Sequence, residues 1–245
     1  MCPQRPRAGE VLGHGHSAHL RLVCHGRFFF ALFSQFRSTL SIGLLERPLV
    51  VGFFWGAATG EYTTSLYIAI FFELFWLDLI PAGTYIPPQL TAATFAALTL
   101  TTWFGLNQPS RIMFVLFASM PLAWIGTKVE GWLREREQGS YNALLNWARN
   151  PGSKHLPGAL ILQSMVKGLF MSWASFLVAI LILKQGFELV FSAYPTIFSH
   201  LGVTWAHLWV AASLGGLMAL RLKRAYVILA TGVILFALYR FLPTL

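Results

Sequence analysis

The sequence predicts an all-α integral membrane protein, a multi-span helical bundle that contains broken or re-entrant hairpins. Two observations support this fold class: 56% of the 245 residues are hydrophobic while only 11% are charged, and the mean hydropathy is +0.61. A soluble globular domain carries roughly 45–50% apolar and about 25% charged residues. The composition therefore excludes a soluble enzyme, a disordered chain and a nucleic-acid-binding domain. The net charge is +9, and in membrane proteins such an excess of Lys and Arg usually lies in cytoplasmic loops.

The polar N-terminal residues 1–26 are set apart from the rest of the chain. They are rich in Arg and His, and we interpret them as either a disordered tail or a mis-assigned start, with residues 27–245 as one membrane-embedded domain. Cys2 and Cys24 supply neither a disulfide framework nor a four-ligand zinc pattern. We expect no metal and no cofactor.

Apolar stretches follow one another along the membrane domain, and several are shorter than the roughly 20 residues of a full span. Prolines and a glycine interrupt the region between Pro48 and Leu106, which is typical of re-entrant hairpins, because irregular backbone at membrane depth must be covered by protein or line a cavity. Two ordinary helices joined by a proline-rich loop remain the alternative. The stretches lie at 27–45, 48–60, 63–80, 89–106, 111–127, 157–183, 186–203, 204–220 and 225–242.

Two polar segments indicate the orientation. Residues 128–156 hold five basic and three acidic side chains, and Arg221, Lys223 and Arg224 precede the last stretch. Short basic loops stay in the cytoplasm, so the chain must cross outward and return between 157 and 220. With three stretches there, this requires one re-entrant segment and places the C-terminus outside. The part from Glu130 to Ala148 has helical character. Three interpretations of it remain open: an interfacial amphipathic helix, a docking surface for a partner, or a solvated linker helix.

Small residues predict close helix packing. Gly52, Gly56 and Gly60 repeat every four residues, so they share one helix face and let another helix approach. Ser65 and Ala69 continue this pattern in the next segment.

Three acidic residues lie in or near apolar stretches, where ionisable groups are expensive and by default mark function. Glu73 has no basic residue within ten positions, so it must be neutral, paired with another segment or hydrogen-bonded to a polar ligand. Glu61 and Asp78 lie near segment ends and could be interfacial charges. A hydroxyl-rich ligand such as a sugar needs carboxylates, amides and an aromatic face, which this region offers in Glu73, Asp78, Gln89, Thr64 and Trp76. On one straight helix Glu73 and Asp78 would point about 140° apart, so both can face a ligand only if the backbone breaks near Pro81.

The block from Glu46 to Ala92 resembles the membrane component IIC of the mannose/fructose/sorbose family of the sugar phosphotransferase system. Within this block the residues that match in order and spacing are Arg47-Pro48-Leu49, Gly52, Gly56, Gly60, Thr64, Glu73, Gly83 and Pro88. A weaker similarity extends over roughly 27–242 and rests on the polar segment 128–156, Leu162-Gln163 and Tyr194-Pro195. Departures occur where Glu61 and Gln89 replace Asp, Ser65 and Ala69 replace Gly, and Asp78 replaces a small residue. The changes at Asp78 and Gln89 leave the substrate open.

The resemblance implies a multi-pass subunit of the bacterial cytoplasmic membrane that moves a hexose or amino sugar inward without catalysing a reaction. The broken hairpins would lie near the sugar site. A IID-type membrane subunit would complete the permease as an oligomeric complex, and cytoplasmic IIA and IIB domains would carry the phosphoryl-transfer histidines. The implied substrate-binding residues are Glu73, Asp78, Thr64, Glu61, Gln89, Trp76 and Gln163.

Two other functions remain open from the sequence. The chain could be a structural or sensor subunit that kept the fold without transport. It could also be a membrane enzyme with a metal at His200, His207 and Glu188, although a seven-residue spacing is not that of a helical metal pair.

Overall fold

The structure is a computed structural model that describes residues 47–77, 88–149, 157–193 and 202–219, together with 226–228, 230–232 and 234. Within these ranges the regular structure is helical and no strand occurs, which confirms the all-α prediction. The longer helices are α1 (Pro48–Thr59), α2 (Tyr62–Phe75), α3 (Leu90–Trp103), α4 (Pro109–Arg149), α5 (Pro157–Ala193) and α6 (Trp205–Ala219).

Helices α1 and α2 form a tight antiparallel hairpin. Gly60 ends α1 with φ of 82°, a left-handed conformation that glycine adopts readily, and its N–H donates to the carbonyl of Gly56. A Cβ built on Gly52 would lie 2.5 Å from the Cβ of Ala69 and 2.9 Å from the carbonyl oxygen of Ser65. The predicted close approach through small residues is therefore confirmed at Gly52, whereas Gly60 serves the turn instead.

Helix α3 is the centre of the described bundle, since every residue from Thr91 to Thr101 is buried. A helix that is buried on all sides must have neighbours on all sides, and α3 packs against α1, α2, α4 and α5. The indole N–H of Trp55 on α1 donates to Oγ1 of Thr102 at 3.1 Å, and the Trp55 ring meets Phe95 edge-on.

Helices α4 and α5 are the two long elements. Each contains a segment long and apolar enough to cross a membrane, Pro109–Arg136 and Leu162–Ala193. They run antiparallel, because Leu133 of α4 lies against Gly168 of α5, while Phe104, just before α4, packs on Phe187 and Phe191 near the end of α5.

The division into stretches at 157–183 and 186–203 was wrong, because α5 continues through the polar residues between them. Lys184 pairs with Glu188 one turn later at 3.2 Å, and its ammonium group lies 4.7 Å from the centre of the Trp103 ring. Because Glu188 and the Trp103 ring compensate the charge of Lys184, the helix can continue through this residue. Among its described residues, the region from 157 to 220 therefore holds two helices, α5 and α6, in place of three stretches.

Helices α1, α2, α3 and α6 have 12, 14, 14 and 15 residues. At about 1.5 Å per residue they reach roughly 18–22 Å, short of a hydrocarbon core of about 30 Å. Helix α6 runs parallel to α2, since the indole N–H of Trp209 donates to the Tyr67 carbonyl at 3.2 Å and a Cβ on Gly216 would meet the carbonyl of Leu74 at 2.6 Å.

The polar part of α4 projects beyond α3. The helical character predicted for 130–148 is confirmed, but this segment is a continuation of α4 rather than a separate helix. Glu130 and Arg134 form an ion pair at 2.6 Å, and the Arg136 guanidinium lies 3.9 Å above the Trp132 ring. Residues 150–156 lie outside the described part of the chain.

The hairpin packing predicts that Gly52→Ala destabilises the protein. The added methyl must push on backbone, and such overpacking typically costs about 1–3 kcal/mol. The measurement is the thermal unfolding midpoint of the full chain in detergent. Gly131→Ala on α4 is the matched control, because nothing lies within 4 Å of its Cβ position; equal midpoints for both variants would contradict the packing.

Candidate functional site

The Glu73 carboxylate is paired with a residue far away in the sequence. Arg47 Nη1 donates to Oε1 at 3.3 Å, and the backbone N–H of Leu49 donates to Oε2 at 3.4 Å. The Glu73 side chain is 16% exposed and that of Arg47 is 39% exposed. Of the three possibilities for this acid, the structure shows pairing with another segment.

The sequence around Arg47 explains the geometry. Arg47 has extended backbone (φ −68°, ψ 133°) and Pro48 begins α1 at its first position, where proline fits because that N–H has no helical partner. The N–H of Leu49 is then one of the free donors of the first turn, and a carboxylate is favoured at a helix N-terminus. Because Arg47 lies 26 residues from Glu73 in the sequence, the residues near Glu73 do not indicate this pairing.

Trp76 lies one turn beyond Glu73 and is buried. Its ring is stacked on Phe72 with centroids 5.3 Å apart and 10° between planes, and it meets Phe75 edge-on. One face of the indole is therefore already covered by aromatic carbon.

Gln89 precedes α3 and is held against α4. Its backbone N–H donates to the carbonyl of Ala123 at 2.9 Å. Its side chain is buried, and Oε1 occupies the space that a Cβ on Gly126 would need. Gly126 thus makes room for this amide.

These residues lie at one end of the bundle. The contact of Trp55 with Thr102 brings the C-terminal ends of α1 and α3 together, so their starts, with Arg47 and Gln89, point to the opposite end. The last turn of α2 joins them there through the contact of Glu73 with Arg47. The polar continuation of α4 leaves the bundle at this same end, because it begins just after Ala123.

The structure does not bring Thr64 and Glu61 to this end. Thr64 and Glu61 precede Glu73 by nine and twelve residues along α2, roughly 13 and 18 Å at 1.5 Å per residue, and Glu61 is exposed. Gln163 is exposed on α5. Asp78, together with Pro81, Gly83 and Pro87, lies outside the described residues.

The groups considered for a metal have other partners where they are described. Glu188 pairs with Lys184, and the backbone N–H of Thr204 donates to Nδ1 of His207 at 3.2 Å. No cluster of three or more His, Cys, Asp or Glu side chains suited to a metal occurs among the described residues. His200 falls outside them.

Comparison with known proteins identifies the family. The family described as the sorbose-specific IIC component of the phosphotransferase system matches residues 27–241. The chain belongs to this family. It is thus a membrane component of a sugar transport system, as the resemblance implied, and its multi-span helical fold is that of an integral membrane protein.

Solved structures share the fold of this IIC component. One, the cryo-EM structure of the mannose transporter ManYZ in complex with microcin E492, has a TM-score of 0.53 and 16% identity, covering 91% of this chain and 87% of the other. Another, described as a membrane protein, has a TM-score of 0.58 and 17% identity, covering 90% and 86%. A sequence comparison with curated proteins gives no significant match.

The contact between α4 and Gln89 predicts that Gly126→Ala displaces the Gln89 side chain in this IIC component. The new methyl would take the place of Oε1, and we expect a loss of about 1–3 kcal/mol, read as a lower thermal unfolding midpoint. Gly139→Ala on the exposed part of the same helix has open space at its Cβ and serves as control. A midpoint for Gly126→Ala at or above that of wild type would show that Gln89 is not packed there.

Proposed function

We propose that the chain is the sugar-translocating subunit of a phosphotransferase-system permease and moves a hexose or amino sugar inward. The observation that carries this proposal is the half-buried Glu73 carboxylate, held by two long hydrogen bonds at one end of the bundle, in a chain of the IIC family. The reaction itself belongs to partner IIA and IIB domains, whose histidines relay phosphate, so this subunit is not an enzyme on its own.

The geometry around Glu73 suits a sugar that exchanges with protein groups. Its two hydrogen bonds, at 3.3 and 3.4 Å, are long compared with the usual 2.9–3.0 Å, so they are weak. A sugar hydroxyl that donates to the carboxylate at the roughly 2.5–2.7 Å usual for such bonds would form a stronger bond than either of these two. Arg47 is a further polar group at this end, and the Gln89 amide and the Trp76 ring lie there too, both buried against neighbouring side chains. Glu61, Thr64 and Gln163 would then act elsewhere on the path, and Asp78 stays a candidate.

The short helices suggest how the site is exposed alternately to the two sides. We infer that the α1–α2 hairpin is re-entrant, because neither helix is long enough to span and α1 carries exposed apolar side chains, Phe53 and Phe54. The long helices α4 and α5 would form the scaffold that spans the bacterial cytoplasmic membrane. Movement of the hairpin region against this scaffold would open the site to one side at a time.

The charge distribution suggests which end is cytoplasmic. Lys128, Arg134 and Arg136 lie on the polar part of α4, and basic segments next to spans stay inside. The Glu73 end of the bundle would therefore face the cytoplasm, where phosphorylation adds charge to the sugar and prevents its return. A IID-type subunit is the expected membrane partner, since the similar transporter ManYZ has two named components.

A structural or sensor subunit without transport is the second candidate. The observation that favours it is that both oxygens of Glu73 already have partners within the chain, so the carboxylate is satisfied without a ligand. Such a subunit would retain the ion pair but bind no sugar.

Glu73→Gln tests the transport proposal. The amide keeps the shape but loses the charge that strengthens bonds to hydroxyl groups, so we expect sugar uptake to fall at least about tenfold, which corresponds to about 1.4 kcal/mol. Uptake is measured in cells that hold the complete permease, and membrane insertion is checked by fractionation. Glu188→Gln removes a carboxylate from the ion pair on α5 and is the control; normal uptake by Glu73→Gln would remove Glu73 from the site.

Co-purification tests the partnership. We expect the full chain to bring down a IID-type membrane subunit, and the complex to bind a radiolabelled hexose or amino sugar from a panel. A complex that forms but binds none of these sugars would favour the structural or sensor subunit. Absence of any IID-type partner would count against the permease altogether.

A further inference from the structure

The Arg47–Glu73 contact has the properties of a weak ion pair in which another hydrogen-bond donor can replace Arg47. Its partners come from the start of α1 and the end of α2, so it closes the open side of the hairpin opposite the Gly60 turn. Arg47 donates a single hydrogen bond at 3.3 Å, not the paired bonds that make arginine–carboxylate contacts strong. Arg47 is 39% exposed while Glu73 is 16% exposed, so water reaches the guanidinium, and a single bond of this kind is replaced more easily than a bidentate pair.

The rest of the hairpin cannot open to release Glu73. The Cβ position of Gly52 is in contact with Ala69 and with the Ser65 backbone, and that of Gly56 with the Tyr62 backbone. Packing at this density leaves no room for the helices to slide in small steps. The element that can move is therefore the long, flexible Arg47 side chain.

The second hydrogen bond keeps the carboxylate in place when Arg47 leaves. The N–H of Leu49 belongs to the first turn of α1, so it is fixed by the helix and remains aimed at Oε2. Departure of Arg47 would free Oε1 without displacing Glu73. The two partners thus have different tasks: Leu49 holds the acid, and Arg47 covers it.

We propose that Arg47 is a positioning residue that acts as a latch: it occupies Oε1 of Glu73 in the sugar-free state and is displaced by a hydroxyl of the arriving sugar. This inference rests on the proposed function for the chemistry of the ligand. It predicts competition between Arg47 and the sugar, which a direct sugar ligand or a purely structural ion pair would not show.

Sugar affinity of the purified full-length complex tests the competition. We expect Arg47→Ala to bind the sugar about three- to tenfold more tightly, and to lower the half-saturating concentration for uptake without raising the maximal rate. Arg47→Lys restores a cation and should return affinity toward the wild-type value. Arg134→Ala removes an exposed arginine from another ion pair and should leave affinity unchanged. Weaker binding by Arg47→Ala, with wild-type protein still binding, would overturn the latch and make Arg47 a sugar ligand, while the transport function would stand.

Hydrogen exchange at the start of α1 tests the latch without a sugar. We expect the Leu49 amide to exchange several-fold faster in Glu73→Gln, because the neutral amide oxygen is a weaker acceptor than the carboxylate. In Arg47→Ala the exchange should stay close to that of wild type and of Arg134→Ala, because the latch requires Leu49 to hold the carboxylate after Arg47 has left. Exchange in Arg47→Ala as fast as in Glu73→Gln would overturn the latch, since the carboxylate would then depend on Arg47 for its position. If wild-type protein binds no hexose or amino sugar, the proposed function fails, and a protected Leu49 amide in Arg47→Ala would still support the separate role of its hydrogen bond.

Discussion

The need to compensate one carboxylate organises the end of the bundle that carries the candidate site. An ionised acid among apolar side chains is stable only with a cation or hydrogen-bond donors beside it. Glu73 obtains both from the start of α1: the guanidinium of Arg47 and the N–H of Leu49. The start of α1 must therefore lie at the end of α2, and this condition is met only if the two helices fold back on each other.

Close backbone packing supplies the rigidity that such a site needs. Glycines let α1 approach α2 and let α6 approach the last turn of α2, where a Cβ on Gly215 or Gly216 would meet Phe75 or Leu74. The central helix α3 joins this unit to the long helices α4 and α5. A compact set of short helices thus rests on two long ones, which is the division that the proposed movement of the hairpin region against a scaffold requires.

Much of this arrangement follows from local sequence. The predicted stretches 48–60, 89–106 and 204–220 match α1, α3 and α6 closely. The ends of these helices are set by local signals, namely glycine, proline and the length of the apolar run, which can be read from neighbouring residues. The route of α5 through Lys184 was not predicted, since its compensation by Glu188 and the Trp103 ring depends partly on tertiary packing. The pairing of Glu73 with Arg47 was not predicted for the same reason, because only the folded hairpin brings these two residues together. The sequence predicted that Thr64 and Glu73 belong to one site, because both offer hydrogen-bonding groups within one short region. In the structure they are separated along α2 by nine residues. Asp78 and the proline-rich turn lie outside the described residues, so their part in the site stays a prediction.

The measurement that tests the central claim most directly is an experimental structure of the complete permease with its sugar bound in a lipid nanodisc. The account predicts a sugar hydroxyl within about 3 Å of the Glu73 carboxylate, the N–H of Leu49 still in contact with that carboxylate, and the guanidinium of Arg47 turned away. A sugar bound elsewhere, with the contact between Arg47 and Glu73 intact, would contradict it.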